Sequence, residues 1–338
     1  MKQVFVTGVN GFLGTNLTHI LVRKGYFVKG LVRDRQKYKG ILSPNLQLIE
    51  GDLFDDLTKV LCGVDYVVHI AAITDQDLLS FRDYWKINGS ATIQLFHAAA
   101  RCKVRKFVFV STANTLGYGT IDCPGTEQTP IKKPFCSSLY AQSKLTAEKR
   151  LLDQCQVMGT IIVNPTFMLG AYDTKPSSGK IILMGRRKKV ILYPPGGKNF
   201  VHVEDVAQGI VKCIEKGRTG ENYLLAGENL SYRDFYMKLN SIADQKPIMM
   251  QLPRWLLMGI GIFGELLRGV GIKSNLSMVN MKILCTGNYY SNLKSLIHLG
   301  IHYRPVDEAI ADALRYFQNT ESSKEKPSKQ VTIKILST

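Results

Sequence analysis

The first half of the chain alternates between two hydrophobic rhythms. Short apolar runs at Lys2–Thr7, Tyr26–Val32, Leu46–Glu50, Tyr66–Ile70, Lys106–Ser111 and Thr160–Val163 read as buried strands. Between them, Gly11–Lys24, Phe81–Arg101 and Ser138–Gln156 repeat apolar residues at helical spacing. Strand–helix alternation of this kind predicts an α/β fold, a doubly wound parallel sheet with helices on both faces. After Asn164-Pro165 the rhythm breaks at Pro176, Pro194-Pro195-Gly196-Gly197 and Pro253. Val203–Lys216 predicts another helix and Asn222–Ala226 a short strand. Ser231-Tyr232-Arg233-Asp234 has capping-box spacing, with Asp in place of Glu, before a helix to about Asp244. Pro305 opens a last helix ending near Gln318, and 319–338, rich in Ser and Lys, reads as a weakly ordered tail.

Composition narrows the class. With 45% hydrophobic and 21% charged residues over 338 positions, the bulk of the chain has apolar surface enough to fold, which excludes a disordered protein. Lys and Arg outnumber Asp and Glu by 44 to 27, a net +17 that favours anionic partners without choosing among them. The seven cysteines include no C-x-x-C, which argues against a disulfide framework or a zinc site and for a reducing, cytoplasmic setting. No metal is expected. Met1-Lys2-Gln3 runs straight into the first strand, so no leader segment is expected. Leu252–Ile272 is the most apolar stretch. Pro253, Arg254, Glu265, Arg268 and five glycines interrupt it, so an interfacial or pocket-covering helix is expected rather than a transmembrane span.

The chemistry starts at Thr7-Gly8-Val9-Asn10-Gly11-Phe12-Leu13-Gly14, which ends the first strand and opens the first helix. Glycines at this spacing let a pyrophosphate approach the backbone, and the helix N-terminus offers it free N–H groups. The second strand ends in Leu31-Val32-Arg33-Asp34, with Arg35 and Lys37 close behind. Arginine at this tip suits a 2′-phosphate and an acid suits a ribose hydroxyl, so NADP is expected ahead of NAD, with Asp34 keeping NAD open. Asp52, in Gly51-Asp52-Leu53, can accept from an adenine amino group, and the small Ala71 and Ala72 after His69 allow close backbone approach.

Tyr140 and Lys144 are four apart on a predicted helix and share a face. A free phenol titrates near 10, and a neighbouring ammonium draws it toward neutrality, where acid–base catalysis works. Ser111-Thr112 ends the fifth strand, where open α/β sheets bind ligands, and its hydroxyls can hold a carbonyl oxygen. Asn88, in the preceding helix, can polarise a carbonyl or position water.

Taken in order, these residues resemble the extended short-chain dehydrogenase/reductase family. Asn164-Pro165 and Phe200-Val201-His202-Val203-Glu204-Asp205-Val206-Ala207 add to the likeness, which runs from Met1 to about Gln318. Gly25-Tyr26-x-Val28-x-x-x-Val32-Arg33-Asp34 is similar to dihydroflavonol reductase-like members. Asn164 through Gly179, Gly227-Glu228-Asn229-Leu230 and Leu252-Pro253 resemble a hopanoid-associated epimerase/reductase branch. The resemblance implies a Rossmann-type domain of residues 1–165 plus about 199–226. A smaller, mostly helical C-terminal substrate domain would comprise about 166–198 plus 227–318. It further implies Tyr140 as acid–base residue, Lys144 on the nicotinamide ribose, Thr112 as the catalytic hydroxyl, and Gly8, Gly11, Phe12 and Leu13 around the pyrophosphate. Pro165 would border the nicotinamide, and homodimers are common in the family.

Nucleotide-sugar epimerases usually place an arginine–aromatic pair before the Asn-Pro, and this chain has Ile162-Val163. That shifts weight toward reduction of a ketone or aldehyde with NADPH. An NAD-dependent nucleotide-sugar epimerase or dehydratase is the alternative, and a non-catalytic dinucleotide sensor is the alternative of another class. From Thr174 to Lys198 there are seven Lys/Arg and no acid, read as a solvated helix face or as attraction for an anionic substrate. No nucleic-acid motif is present, and no nucleic-acid partner is expected.

Overall fold

A computed structural model describes residues 1–325. Seven parallel strands form the main sheet: β1 (Gln3–Thr7), β2 (Phe27–Val32), β3 (Leu46–Glu50), β4 (Tyr66–His69), β5 (Lys106–Val110), β6 (Gly159–Pro165) and β10 (Asn222–Leu225). Their spatial order is β3-β2-β1-β4-β5-β6-β10. The order reverses beside β1, and in sheets of this Rossmann type the crevice at that switch point takes the ligand.

The period-two alternation of the strands sorts two cores. Val4, Val6, Val28, Val108, Val110, Ile161 and Val163 point one way, against the helices Phe12–Arg23 and Val203–Lys216. Phe5, Val67, Phe107, Phe109 and Ile162 point the other way, against Leu95, Phe96, Ala147 and Leu151. The helix predicted over Phe81–Arg101 is continuous in space but contains a six-residue π turn, Lys86–Ala91, between α-helical Phe81–Trp85 and Thr92–Arg101.

The second half holds more sheet than its broken pattern predicts. Three strands, β11 (Glu228–Ser231), β9 (Gly197–His202) and β13 (Gly287–Asn288), lie side by side, and β7 (Phe167–Leu169) also pairs with β9. A parallel ribbon joins β8 (Val190–Tyr193) to β12 (Ile248–Gln251). These strands are two to six residues long, too short to show a period in the sequence. They enclose a third core of Leu169, Ile182, Tyr193, Phe200, Phe235, Leu239, Ile310 and Phe317. The basic stretch is not one solvated helix face. Lys180–Gly185 forms only a short helix, Arg186 is buried against Glu321, and the Lys198 ammonium lies 5.1 Å from the Phe167 ring centre.

The last helix runs Val306–Glu325, so 319–325 is helical rather than tail. The remainder of the expected tail lies outside the described residues. Leu252–Ile272 yields the helix Arg254–Gly269. Among the described residues, no helix is long and apolar enough to cross a membrane.

Candidate active site

The glycine loop is shaped by two glycines and opened by a third. Gly8 has φ +69, and a Cβ there would lie 2.9 Å from Ala71 N. A Cβ on Gly14 would lie 2.0 Å from Gly8 O, so helix and loop can meet only without a side chain. Gly11 meets nothing but Gly8 O, at 3.2 Å, and its absent side chain leaves the loop surface open. Gly11 is also the N-cap of the helix Phe12–Arg23 and makes no side-chain cap. The first-turn N–H groups, from Phe12 and Leu13 onward, are thus available to an anion, with Asn10 beside them.

His69 ties this loop to its neighbours. Thr7 Oγ1 accepts from the N–H groups of Ile70 and Ala71, both at 3.1 Å. Its own proton therefore goes to His69 Nδ1, 2.7 Å away. That leaves the ring proton on Nε2, which donates to Thr92 Oγ1 at 2.9 Å, and Thr92 donates onward to Asn88 O at 2.9 Å. Burial, with Lys144 nearby, drives the His69 pKa down to about 3, so the ring is neutral. In the π turn, Asn88 clamps the backbone of Ile73: Oδ1 accepts from its N–H at 2.9 Å and Nδ2 donates to its carbonyl at 3.1 Å. Asn88 also donates to Ser143 Oγ, at 3.1 Å. Ala71 and Ala72 are thereby pinned at both ends of their loop.

The helix Leu139–Leu152 is capped by Ser138, whose hydroxyl accepts from Ala141 N, and it buries a stripe of Tyr140, Lys144, Ala147, Glu148 and Leu151. Against the expected pull of Lys144 toward neutrality, burial raises the Tyr140 phenol to about 12, while hydrogen bonding with the Thr112 side chain opposes the rise. Lys144 is 1% exposed. Its ammonium donates to Val110 O at 2.7 Å and sits 4.0 Å from the Phe109 ring centre. Burial lowers its pKa to about 7, and the Glu148 carboxylate pulls the other way. Glu148 is itself raised by burial. It accepts from Thr115 Oγ1 at 2.8 Å and Asn164 Nδ2 at 2.9 Å. Asn164 Nδ2 also donates to Thr112 O at 3.2 Å, which fixes the turn that carries the Thr112 hydroxyl. Pro165 is the buried end of β6.

The crevice thus joins the ends of β1, β4, β5 and β6, with Gly8, Gly11, Ala71, Asn88, Thr112, Tyr140, Lys144 and Pro165 around it. Arg33, Asp52 and Leu53 follow β2 and β3, on the other side of β1 from the Tyr140 helix. Arg33 is exposed. Asp34 is engaged within its own turn, accepting from Gln36 N at 2.9 Å and pairing with Lys37 at 3.0 Å, and both hold its pKa down. Asp52 Oδ1 accepts from Phe54 N at 3.1 Å, and the Leu53 side chain packs in the core. Sequence reasoning missed Glu148, Thr92 and Thr115. The spacing of Glu148, four residues past Lys144, was the one signal available for it. Among the described residues, no three His, Cys, Asp or Glu side chains gather as metal ligands.

Residues 4–226 match the model of the NAD dependent epimerase/dehydratase family. A protein of Synechocystis sp. named for dihydroflavonol 4-reductase is 29% identical over 325 residues, covering 93% of this chain and 94% of its own. Sterol demethylase protein B of Methylococcus capsulatus is 25% identical over 321 residues, covering 93% and 97%. The crystal structure of gox2253 superposes with a TM-score of 0.81 at 30% identity, covering 95% of this chain and 99% of that one.

Proposed function

Because the chain belongs to the NAD-dependent epimerase/dehydratase family, we propose that it is an NADP(H)-dependent oxidoreductase that reduces a ketone or aldehyde of a small molecule. The observation that carries this reading is the buried Tyr140–Lys144 pair with the half-buried Thr112 hydroxyl beside Tyr140, at the carboxyl edge of the sheet.

The glycine loop fits a dinucleotide, since Gly11 leaves it open and its helix is uncapped. Phe12 and Leu13 N–H groups would hold the pyrophosphate, Arg33 the 2′-phosphate, and Asp52-Leu53 the adenine. Asp34 is spent on Lys37 and Gln36, which leaves the exposed Arg33 and Arg35 as cations without an ion pair at this tip among the described residues. When bound, the nicotinamide supplies or accepts the hydride. Thr112 and Tyr140 both hydrogen-bond the substrate oxygen. Tyr140 would give its proton to that oxygen as the carbonyl is reduced, so that a hydroxyl results. Lys144, protonated, holds the nicotinamide ribose and stabilises the phenolate left behind. Residues 1–165 and 199–226 form the dinucleotide half in this reading, and the remainder shapes the substrate pocket. Lys198, on β9 and without an ion pair among the described residues, favours a substrate carrying an acid group.

The reductive reading is favoured over sugar-nucleotide epimerisation by Ile162 and Val163. Both are wholly buried in the sheet's two cores, so this position sends no charged side chain toward a substrate. Tyr140→Phe tests the proposal. Turnover of a responsive ketone or aldehyde should fall by about 10²- to 10⁴-fold, with NADPH affinity, read by fluorescence titration, unchanged. Equal loss of binding and turnover would make Tyr140 structural and sink the reading.

A further inference from the structure

The helix Arg254–Gly269 is amphipathic in the opposite sense to a helix in water. Its inward stripe is Leu257, Gly261 and Gly264, packed so closely that a Cβ on Gly264 would lie 1.6 Å from Leu276 O. Its outward stripe is Trp255, Ile262, Phe263 and Leu266, continued by Val270. Trp255 and Val270 are 74% exposed and Leu266 is 66% exposed. A stripe facing water ordinarily carries polar residues. The single acid of this helix, Glu265, is occupied by Met278 N–H and Arg268.

A second apolar face lies two residues upstream, across Leu252-Pro253. In the β8–β12 ribbon, Val190 stands opposite Ile248 and Leu192 opposite Met250, and all four side chains are exposed while Ile191 and Tyr193 point inward. Exposed cations flank both faces in the chain. Lys188 and Lys189 lead into β8, Lys246 leads toward β12, and Lys273 and Lys282 follow the helix. None of these five makes an ion pair among the described residues. Between 246 and 285, Glu265 is the only acid.

Exposed apolar side chains ringed by unpaired lysines match the acyl–headgroup boundary of an anionic bilayer. A second copy of the chain would set the same cations against each other. We propose that the Trp255–Ile262–Phe263–Leu266 stripe and the β8–β12 ribbon dock this protein flat on an anionic phospholipid surface. Arg268, at the end of the helix, donates to the carbonyls of Asp77 and Leu78. The adjoining Asp75 carbonyl accepts from Tyr84, whose ring lies 6.3 Å from that of Tyr140. These contacts link the end of the docking helix to the Tyr140 side of the crevice.

Sedimentation with vesicles tests this independently of any turnover. The full chain should pellet with phosphatidylcholine–phosphatidylglycerol vesicles and far less with phosphatidylcholine alone. In a Trp85→Phe background Trp255 is the only tryptophan, and its emission should shift to the blue on vesicle addition. The exposed double variant Phe263→Ser/Leu266→Ser should lose about tenfold or more in partitioning while still binding NADPH. Lys188→Glu and Lys189→Glu should each weaken anionic-vesicle binding about fivefold or more. Undiminished pelleting of the double variant, or no pelleting of the parent, overturns the proposal. So does a concentration-dependent shift of Trp255 without lipid, which would assign the face to a second copy.

Discussion

The hydroxyl of Thr7 donates to Nδ1 of His69, which fixes the ring as the neutral Nε2–H tautomer and makes it a strut between β1 and Thr92, the first residue after the π turn. Protonation would place a second donor against a hydroxyl whose proton already points at it. With a folded pKa near 3 and an unfolded value of 6.5, the unfolded chain binds the proton first on acidification. Stability is therefore complete above about pH 6.5 and falls as pH drops toward 3, by about 2 kcal/mol at pH 5 from this group alone. His69→Gln should flatten the slope of stability against pH between 6.5 and 4 in urea titrations, whatever its absolute stability. An unchanged slope would place the acid sensitivity elsewhere.

Lys144 behaves in the same direction at higher pH. Its folded pKa is near 7 against 10.5 for a free lysine, so between those values the unfolded chain holds the extra proton. Stability should rise with pH across that window. Lys144→Met removes the buried charge, so the variant should unfold at higher urea than the parent at pH 7 while losing turnover. A less stable variant would show that the Val110 and Phe109 contacts outweigh the desolvation.

Glu148 keeps the proton on Lys144. Since catalysis in the proposed scheme needs the ammonium, activity should decline as pH rises through the Lys144 pKa. Glu148→Gln removes the opposing carboxylate, so that decline should begin at lower pH, with KM for NADPH little changed at pH 6. A parallel drop at all pH values would mean that Glu148 only holds Thr115 and Asn164 in place.

Two of the loop glycines, Gly14 and Gly11, should separate folding from binding. Gly14→Ala must push Gly8 aside and should cost about 1–3 kcal/mol or more in stability. Gly11→Ala meets only one atom, at 3.2 Å, and should leave stability within about 1 kcal/mol while weakening dinucleotide binding at least tenfold. Thermal melts beside cofactor titrations check both.

Arg33→Ser should weaken NADPH about 10- to 100-fold, the worth of a charge-assisted contact, and NADH by much less. Equal losses would remove the 2′-phosphate assignment.

The sequence carried the Rossmann half nearly whole, because long buried strands and amphipathic helices have strong periods. Leu46–Glu50 and Val203–Lys216 match at both ends. The glycine loop and the Tyr140–Lys144 spacing were legible because their chemistry is local. Glu148, Thr92 and Thr115 were not, since each acts through a partner at least four residues away that only the fold supplies. The second half hid its sheets because β7 and β13 are too short to alternate, β8 is apolar on both its faces, and β11 is half-buried throughout.

The π turn at Lys86–Ala91 has a consequence for numbering. One residue more than an α-helix needs is wound into that turn, so a helical wheel started at Phe81 falls out of phase by about 100° beyond it. Removing a single residue there would rotate Asn88 or its downstream partner Thr92 off the crevice without breaking the helix.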